Sequence, residues 1–192
     1  VNCELAGKTL GLIGFGNIGK IKARMANGIG MNILAYRRDK EKGNEGIEYV
    51  DIVDLDSLLE RSDIISLLLP LIKHGLHRTN GFIGKKELER FGAKGLGWII
   101  NTSRGAIINE KDLIESLKKN VIRKAALDVY ETEPLPRNSE LRKLPNVILT
   151  PHIAGDTREA LIRRYTMIAE NTIKIMNNEK PQYIVKELES LF

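Results

Sequence analysis

Short runs of consecutive apolar residues alternate along this chain with stretches whose apolar positions recur every three or four residues. A continuous apolar run is typical of a β-strand buried on both faces, whereas the longer period is typical of an amphipathic helix. Predicted strands occupy residues 9–15, 32–36, 63–69, 98–101, 124–129 and 147–149. Predicted helices occupy residues 18–28, 56–61, 85–91 and 109–119, and a longer one runs from after Gly155 to about residue 176. This alternation predicts an α/β fold with a doubly wound parallel sheet of the Rossmann-like type.

The pattern predicts one domain, residues 1–177, followed by a C-terminal tail, residues 178–192. Asn177 and Asn178 are typical of a helix end, and Pro181 cannot continue a helix. The sequence contains neither an internal repeat nor a low-complexity segment. We therefore expect a single α/β domain with a short extension.

Composition places the chain among ordinary globular proteins. Hydrophobic residues make up 42% and charged residues 29%, and no stretch is apolar for long enough to span a membrane. The net charge is +5, but basic residues are interspersed with acidic ones, which argues against nucleic acid as a partner. The single Cys3 cannot form an internal disulfide, so a cytoplasmic location is predicted. No spacing of cysteine and histidine indicates a metal site.

A glycine-rich turn joins the first predicted strand to the first predicted helix. Its Gly14, Gly16 and Gly19 have the spacing that binds dinucleotides when it follows a strand and opens a helix. The first glycine permits a tight turn, the second lets a pyrophosphate approach the backbone, and the third lets the helix pack close to the sheet. The amides of Asn17 and Ile18 would meet the phosphates at the positive end of the helix. The turn therefore predicts a dinucleotide-binding domain.

Two arginines follow the second predicted strand, where such domains usually carry an acid that binds the ribose hydroxyls. Arg37 occupies that position, Arg38 follows it, and Asp39 comes after both. Guanidinium groups pair well with a 2′-phosphate and offer no acceptor to ribose hydroxyls. NADP is therefore the favoured cofactor, and NAD is the alternative.

Three further polar side chains each follow a predicted strand. Arg104 comes after the fourth strand, Glu133 after the fifth and His152 after the sixth. The carboxyl ends of parallel strands meet at one edge of a sheet, so these side chains should lie near each other. A guanidinium binds carboxylates, and an imidazole donates or accepts a proton near neutral pH. The set suggests hydride transfer to or from a small carboxylate.

The motifs that contain these residues resemble those of a known family, the D-isomer-specific 2-hydroxyacid dehydrogenases, over nearly the whole chain. They are Leu5-Ala6-Gly7-Lys8-Thr9, the glycine-rich turn, Ser62-Asp63 before a strand ending at Pro70-Leu71, and residues 101–105, 126–134 and 150–155. The resemblance implies an NAD(P)-binding domain of an oxidoreductase that interconverts 2-oxo and 2-hydroxy acids. Glyoxylate and hydroxypyruvate reductases are the closest in character. A homodimer that pairs through the cofactor domain is also implied.

By this resemblance, His152 is the acid/base that gives a proton to the substrate carbonyl oxygen, and Glu133 holds its imidazole. Arg104 would bind the α-carboxylate and polarise the carbonyl. Glu131 lies in the same Glu-Thr-Glu-Pro run as Glu133 and is expected to take no catalytic part. The histidines of residues 72–81 are expected to be solvated, because no motif accompanies them.

The resemblance also implies contacts with the cofactor. Asp128 is expected against the nicotinamide carboxamide, and the backbone of Thr102 lies on the same rim. Pro70 is expected to line the adenosine pocket. Gly155, which ends the last motif, is assigned to the cofactor site as well.

The chain departs from the family at its beginning. Only about a dozen residues precede the glycine-rich turn, where family members place half of a separate substrate domain. We therefore expect the substrate domain to be largely absent, the sequence to be a fragment of a longer enzyme, and residues 178–192 to return to the absent domain. Catalysis by such a chain should be poor. Phosphoglycerate dehydrogenase, a non-catalytic dinucleotide-sensing protein of the corepressor type, and a simple cofactor-binding module are the alternatives.

Overall fold

The computed structural model describes residues 3–93, 97–185 and 188. The chain divides into two compact units, Val1–His152 and Ile153–Phe192. The predicted domain boundary at residue 177 falls inside the second unit. Of the predicted tail, residues 186, 187 and 189–192 lie outside the described residues.

The described residues form seven strands and four α-helices in the first unit and one α-helix in the second. The strands are β1 (Thr9–Ile13), β2 (Asn32–Tyr36), β3 (Val50–Ile52), β4 (Ile64–Leu67), β5 (Trp98–Asn101), β6 (Lys124–Leu127) and β7 (Val147–Leu149). The helices are α1 (Asn17–Gly28), α2 (Leu55–Arg61), α3 (Lys85–Gly92), α4 (Glu110–Lys118) and α5 (Arg158–Met176). Short 3₁₀ helices occupy Lys40–Lys42, Gly105–Ile107 and Glu140–Lys143. The strands predicted at residues 9–15, 63–69 and 124–129 are too long, because the chain leaves the sheet after β1, β4 and β6 to form loops.

The seven strands pair in parallel in the order β3-β2-β1-β4-β5-β6-β7. The order reverses at β1, which pairs with β2 on one side and with β4 on the other. Ligands of such sheets bind outside the carboxyl ends of the strands at this reversal. The predicted doubly wound parallel sheet is confirmed.

Strand β3 is an edge strand that the sequence analysis missed. It pairs only with β2, and of its three residues Val50 is buried while Asp51 is exposed. A three-residue segment with a charged centre does not form the continuous apolar run that identifies the inner strands.

Side chains of each strand alternate between the two faces of the sheet, and each face has its own helices. On β4, Ile65 and Leu67 belong to the core that includes residues of α2, α3 and α4. Ile64, on the opposite face, belongs to the core that includes Ala23 and Ala26 of α1. Large side chains fully buried in the first of these cores include Leu58, Leu88, Phe91 and Leu113. Burial on both faces explains why the inner strands read as unbroken apolar runs.

Side-chain hydrogen bonds stabilise helices in both units. The side chain of Asn109 accepts a hydrogen bond from the amide of Asp112 at 3.1 Å and so caps the N-terminal end of α4. In the second unit, the side-chain oxygen of Asn171 accepts hydrogen bonds from the amides of Gln182 and Tyr183, at 3.0 and 3.1 Å. Its amide nitrogen donates to the Tyr183 carbonyl oxygen at 2.7 Å. The segment after α5 is thereby tied to the helix.

Candidate active site

The predicted site residues of the first unit lie in loops, or at the start of α1, at one edge of the sheet. Gly14 follows β1, Arg37 follows β2, Pro70 follows β4, Arg104 follows β5, Glu133 follows β6 and His152 follows β7. Since all strands are parallel, this edge is the carboxyl edge, where ligands of this fold bind. Gly155 belongs to the second unit, and its part in the cofactor site stays a prediction.

The glycine-rich turn has little room for side chains at two of its three glycines. Gly14 has a φ of +110°, and a Cβ there would lie 2.8 Å from the carbonyl oxygen of Leu68. A Cβ on Gly19 would lie 2.7 Å from the carbonyl oxygen of Gly14, so α1 packs directly against the turn. By contrast, a Cβ on Gly16 would meet no atom of the described residues within 4 Å. The backbone at Gly16 is therefore open to a ligand.

The N-terminal end of α1 offers backbone amides next to Gly16. No described residue accepts a hydrogen bond from the amide of Asn17 or Ile18. The first turn of α1, which is fully described, also contains no acidic side chain. Unpaired amides and the positive end of the helix dipole favour an anion. These residues fit the pyrophosphate of a dinucleotide.

A cavity of about 520 Å³ lies beside the glycine-rich turn. We call it the arginine-lined cavity, because Arg37, Arg38 and Pro70, all predicted for the adenosine end of the cofactor, line it. Arg38 is exposed, and no described residue forms an ion pair with it. Further lining residues, which the sequence analysis did not assign, are Leu76, His77, Arg78, Thr79 and Phe82.

Glu133 and His152 form a hydrogen-bonded pair at the other end of the carboxyl edge. The Nδ1 atom of His152 lies 2.7 Å from Oε2 of Glu133. The side chains of His152 and Glu133 are 50% and 36% exposed, so a ligand can reach them. Because Nδ1 contacts the carboxylate, Nε2 is the ring nitrogen left to face a ligand. The structure brings together the two residues that the sequence analysis paired.

The carboxyl group of Glu133 is suited to hold an imidazole. Burial opposes its ionisation, but hydrogen bonds from His152 and from the Tyr130 amide, together with the nearby charges of His152 and Arg104, outweigh it. The pKa of Glu133 therefore lies below its ordinary value. The group is ionised at neutral pH and can orient and stabilise a charged imidazole.

Tyr130 ties together the segments that contain this pair. Its hydroxyl lies 2.7 Å from the carbonyl oxygen of Thr150 and 3.0 Å from that of Leu127. Its amide donates to Oε1 of Glu133 at 3.1 Å. His152 has a φ of +58°, an uncommon left-handed conformation that costs on the order of 1–3 kcal/mol. Tyr130 therefore positions the pair, a role that was not predicted from the sequence.

Arg104 lies in a loop that Asn101 organises. The buried side chain of Asn101 donates to the carbonyl oxygen of Arg104 at 3.0 Å and accepts hydrogen bonds from the Ser103 amide and hydroxyl, at 3.1 and 2.9 Å. A Cβ on Gly105 would lie 1.9 Å from the carbonyl carbon of Tyr130, so only glycine allows this approach. Arg104 is exposed and its Nη1 donates to the Ser103 carbonyl oxygen at 2.6 Å. Its remaining N–H groups are available to an anion.

The other predicted residues of this region differ in exposure. Asp128 is 3% exposed and its Oδ1 accepts a hydrogen bond from the Thr150 hydroxyl at 2.6 Å, whereas Thr102 is exposed.

Glu131 lies at the start of α4: its carboxylate accepts a hydrogen bond from the Glu110 amide at 3.0 Å, and its own amide donates to the Glu110 carboxylate at 3.2 Å. Glu131 thus stabilises a helix end.

A second cavity, of about 560 Å³, borders the Glu133–His152 pair. Apolar side chains form much of its wall, and its lining includes Tyr130, Glu133, Leu135, Leu149 and His152. Arg142 adds a cation, but its Nε and Nη2 atoms donate to the carbonyl oxygens of Pro136 and Leu135. The pair therefore faces a space large enough for a small organic acid.

Some kinds of site are not found in the part of the chain that the structure describes. Within residues 3–93, 97–185 and 188, no group of three or more histidine, cysteine, aspartate or glutamate side chains could hold a metal ion. No helix in those ranges is long and apolar enough to cross a membrane. Cys3 is exposed and has a free thiol.

The sequence matches a known protein family. The model of the family described as "D-isomer specific 2-hydroxyacid dehydrogenase, NAD binding domain" matches residues 1–154. A glyoxylate reductase of Korarchaeum cryptofilum is 41% identical over 187 residues, which are 96% of this chain and 54% of that protein. The chain spans about half the length of this relative.

Solved structures agree with this match. A glyoxylate reductase from Paecilomyes thermophila has a TM-score of 0.86 at 34% identity, over 98% of this chain and 55% of that one. An NADPH-dependent glyoxylate/hydroxypyruvate reductase from Sinorhizobium meliloti, in complex with NADP and sulfate, has a TM-score of 0.81 at 28% identity, over 98% and 58%. The predicted family is therefore confirmed: the chain belongs to the D-isomer specific 2-hydroxyacid dehydrogenases through their NAD-binding domain.

Proposed function

We propose that this chain acts in an oxidoreductase that transfers a hydride between NADP(H) or NAD(H) and a small 2-oxo or 2-hydroxy acid, as a glyoxylate or hydroxypyruvate reductase does. The observation on which the proposal rests is the hydrogen-bonded pair of Glu133 and His152 at the same sheet edge as the open glycine-rich turn. The names of the relatives support this reading.

His152 is the proposed general acid and base of the reaction. The nicotinamide, when bound, supplies the hydride that reaches the carbonyl carbon. His152 gives a proton from Nε2 to the carbonyl oxygen, and in the reverse direction it takes that proton back. Glu133 holds Nδ1 and stabilises the charged imidazole, because the carboxylate stays ionised.

Arg104 binds the carboxylate of the acid in this proposal. Its exposed guanidinium keeps several N–H groups free, and a planar fork can hold a carboxylate and the adjacent carbonyl oxygen together. Asp128 and the backbone of Thr102 are the proposed contacts of the nicotinamide carboxamide, because they directly follow β6 and β5.

NADP is the cofactor that we propose as favoured. Arg37 and Arg38 both line the arginine-lined cavity, and Arg38 has no described ion-pair partner. The similar reductase from Sinorhizobium meliloti, whose structure is a complex with NADP, supports this assignment. Calorimetric titration with NADPH and NADH tests it. We expect NADPH to bind at least tenfold more tightly, about 1.4 kcal/mol, and the difference to be lost in a variant with both arginines replaced by alanine.

Glyoxylate-dependent oxidation of NADPH, followed by absorbance, tests the catalytic assignment. We expect His152→Asn to lower kcat by about 100-fold or more, while His74→Asn, in an exposed loop, leaves it unchanged. Arg104→Lys keeps the positive charge but removes the planar guanidinium that can hold two oxygens together, so it should lower kcat/KM by about 100-fold or more. Turnover that His152→Asn leaves intact would refute the assignment.

The same assay separates the alternatives. A clear preference for 3-phosphohydroxypyruvate over glyoxylate and hydroxypyruvate would support a phosphoglycerate dehydrogenase. Tight NADPH binding without turnover of any 2-oxo acid would support a cofactor-binding module, whereas a peptide-binding cleft in the N-terminal part of the full protein would support a dinucleotide-sensing protein of the corepressor type.

A homodimer that pairs through the NAD-binding domain, in a reducing cytoplasm, completes the proposal. The family resemblance supports the dimer, and the free Cys3 thiol is compatible with a reducing compartment. Sedimentation equilibrium should give twice the mass of one chain, and the mass of a single chain at micromolar concentration would contradict the dimer.

A further inference from the structure

The carboxylate of Glu45 lies between two cations beside the arginine-lined cavity. Its Oε1 accepts a hydrogen bond from Nη1 of Arg37 at 2.6 Å, and its Oε2 contacts Nζ of Lys20. Lys20 belongs to the first turn of α1, Arg37 follows β2, and Glu45 comes from the loop between β2 and β3. These three side chains, which we call the Glu45 bridge, join three segments of the chain, and Arg37 among them lines the cavity.

The Glu45 bridge fixes the Nη1 edge of the Arg37 guanidinium. Its Nη1 also donates to the carbonyl oxygen of Gly43 at 3.0 Å, so both hydrogens of Nη1 have acceptors. The guanidinium carbon lies 5.9 Å from the centre of the Phe15 ring. The Arg37 side chain is only 12% exposed, and the hydrogens of Nε and Nη2 remain for a ligand in the cavity. The arginine proposed to bind a 2′-phosphate is thus already paired with an anion of the protein itself.

The charge on Glu45 persists over the whole physiological range. Hydrogen bonds from Lys20 and Arg37 are the main cause, and they lower the pKa of Glu45 from 4.5 to about 2. A phosphate monoester carries about −1.5 to −2 charges at neutral pH. It would therefore meet a fixed negative charge next to the group that binds it. The ribose hydroxyls of NAD carry no charge and would not be repelled.

We propose that Glu45 is a specificity-determining residue of the cofactor site, whose carboxylate competes with the 2′-phosphate of NADP for Arg37 and so limits the preference for NADP over NAD. The proposal rests on the proposed function, since it needs the arginine-lined cavity to hold the adenosine end of the cofactor. Removing the carboxylate frees Arg37 and Lys20 for the phosphate. It leaves NADH, which lacks that phosphate, unaffected.

Calorimetric titration of the 192-residue chain with NADPH and NADH tests this competition. We expect Glu45→Gln to tighten NADPH binding roughly fivefold or more, about 1 kcal/mol, and to change NADH binding by less than twofold. The matched control is Glu41→Gln, which removes a charge from the same loop at an exposed glutamate without a described ion-pair partner. It should change neither affinity by more than twofold. NADH binding also checks that each variant is folded.

The Arg37→Ala background shows whether Glu45 acts through Arg37. There, Glu45→Gln should change NADPH binding by less than twofold. An unchanged or weaker NADPH affinity in Glu45→Gln, or a gain that persists without Arg37, would overturn the inference while the proposed function stands. Failure of the unchanged chain to bind either nucleotide would instead overturn the proposed function, and this inference with it.

Discussion

Replacing Gly16 by alanine should abolish tight cofactor binding without unfolding the protein. Gly16 has φ −99° and ψ −159°, values that alanine adopts readily, and its Cβ would meet no atom within 4 Å. Alanine is a poorer N-cap than glycine and destabilises the folded protein by about 0.5–1 kcal/mol. Alanine also lowers the conformational entropy of the unfolded chain, which stabilises the protein by about 0.4–1 kcal/mol. The free energy of unfolding should therefore stay within about 0.5 kcal/mol of the original.

The same methyl group would occupy the space by which a pyrophosphate approaches the backbone. We expect the affinity for NADH to fall at least tenfold, about 1.4 kcal/mol. Gly14→Ala is the contrasting variant, because its φ of +110° and the 2.8 Å approach of its Cβ to the Leu68 carbonyl oxygen strain the folded state itself. It should lose about 2 kcal/mol or more of stability.

Urea unfolding and calorimetric titration with NADH measure the two quantities separately. The reasoning is wrong if Gly16→Ala binds NADH as tightly as the original chain, since the open space at Gly16 would then not be the pyrophosphate site. Equal destabilisation by Gly16→Ala and Gly14→Ala would also refute it, because the two glycines would then share one structural role.

Three further predictions concern stability. Leu67 is fully buried in the centre of the sheet, so Leu67→Ala should lower the free energy of unfolding, measured with urea, by about 2–5 kcal/mol. Leu76 is 95% exposed, so Leu76→Ala should change that free energy by less than about 0.5 kcal/mol. Equal effects of the two substitutions would contradict the core assignment. Asn109→Ala removes the cap of α4 and should cost about 1 kcal/mol, with faster amide hydrogen exchange in the first turn of α4. The pKa of Glu45 is lowered in the folded state from 4.5 to about 2, so its contacts stabilise the protein above about pH 4.5 and are lost as the pH falls towards 2. The stability difference between the original chain and Glu45→Gln should therefore be present at pH 7 and close over that window, and a difference that does not depend on pH would contradict the ionic contacts.

Local sequence was sufficient for most of the fold and for the identity of the candidate site residues. The inner strands are buried on both faces, so each appears as a continuous apolar run, and the glycine spacing at Gly14 reports a backbone that few other residues can adopt. The order of strand and helix then determines which loops share the carboxyl edge. Arg104, Glu133 and His152 could be placed at that edge because each lies in the loop that follows a strand.

Only the tertiary structure decided which side chains meet. The family resemblance implied that Glu133 and His152 pair, but the contacts of Tyr130 and the Glu45 bridge were not predicted, because they depend on loop conformations that nearby residues do not specify. The short edge strand β3 likewise forms only because β2 is there to pair with it. Backbone preferences are local and can be read from neighbouring residues, whereas an ion pair exists only when the whole fold brings two charges within a few ångströms. The sequence thus determined the framework and its candidate chemistry, and the three-dimensional packing decided which charges act together.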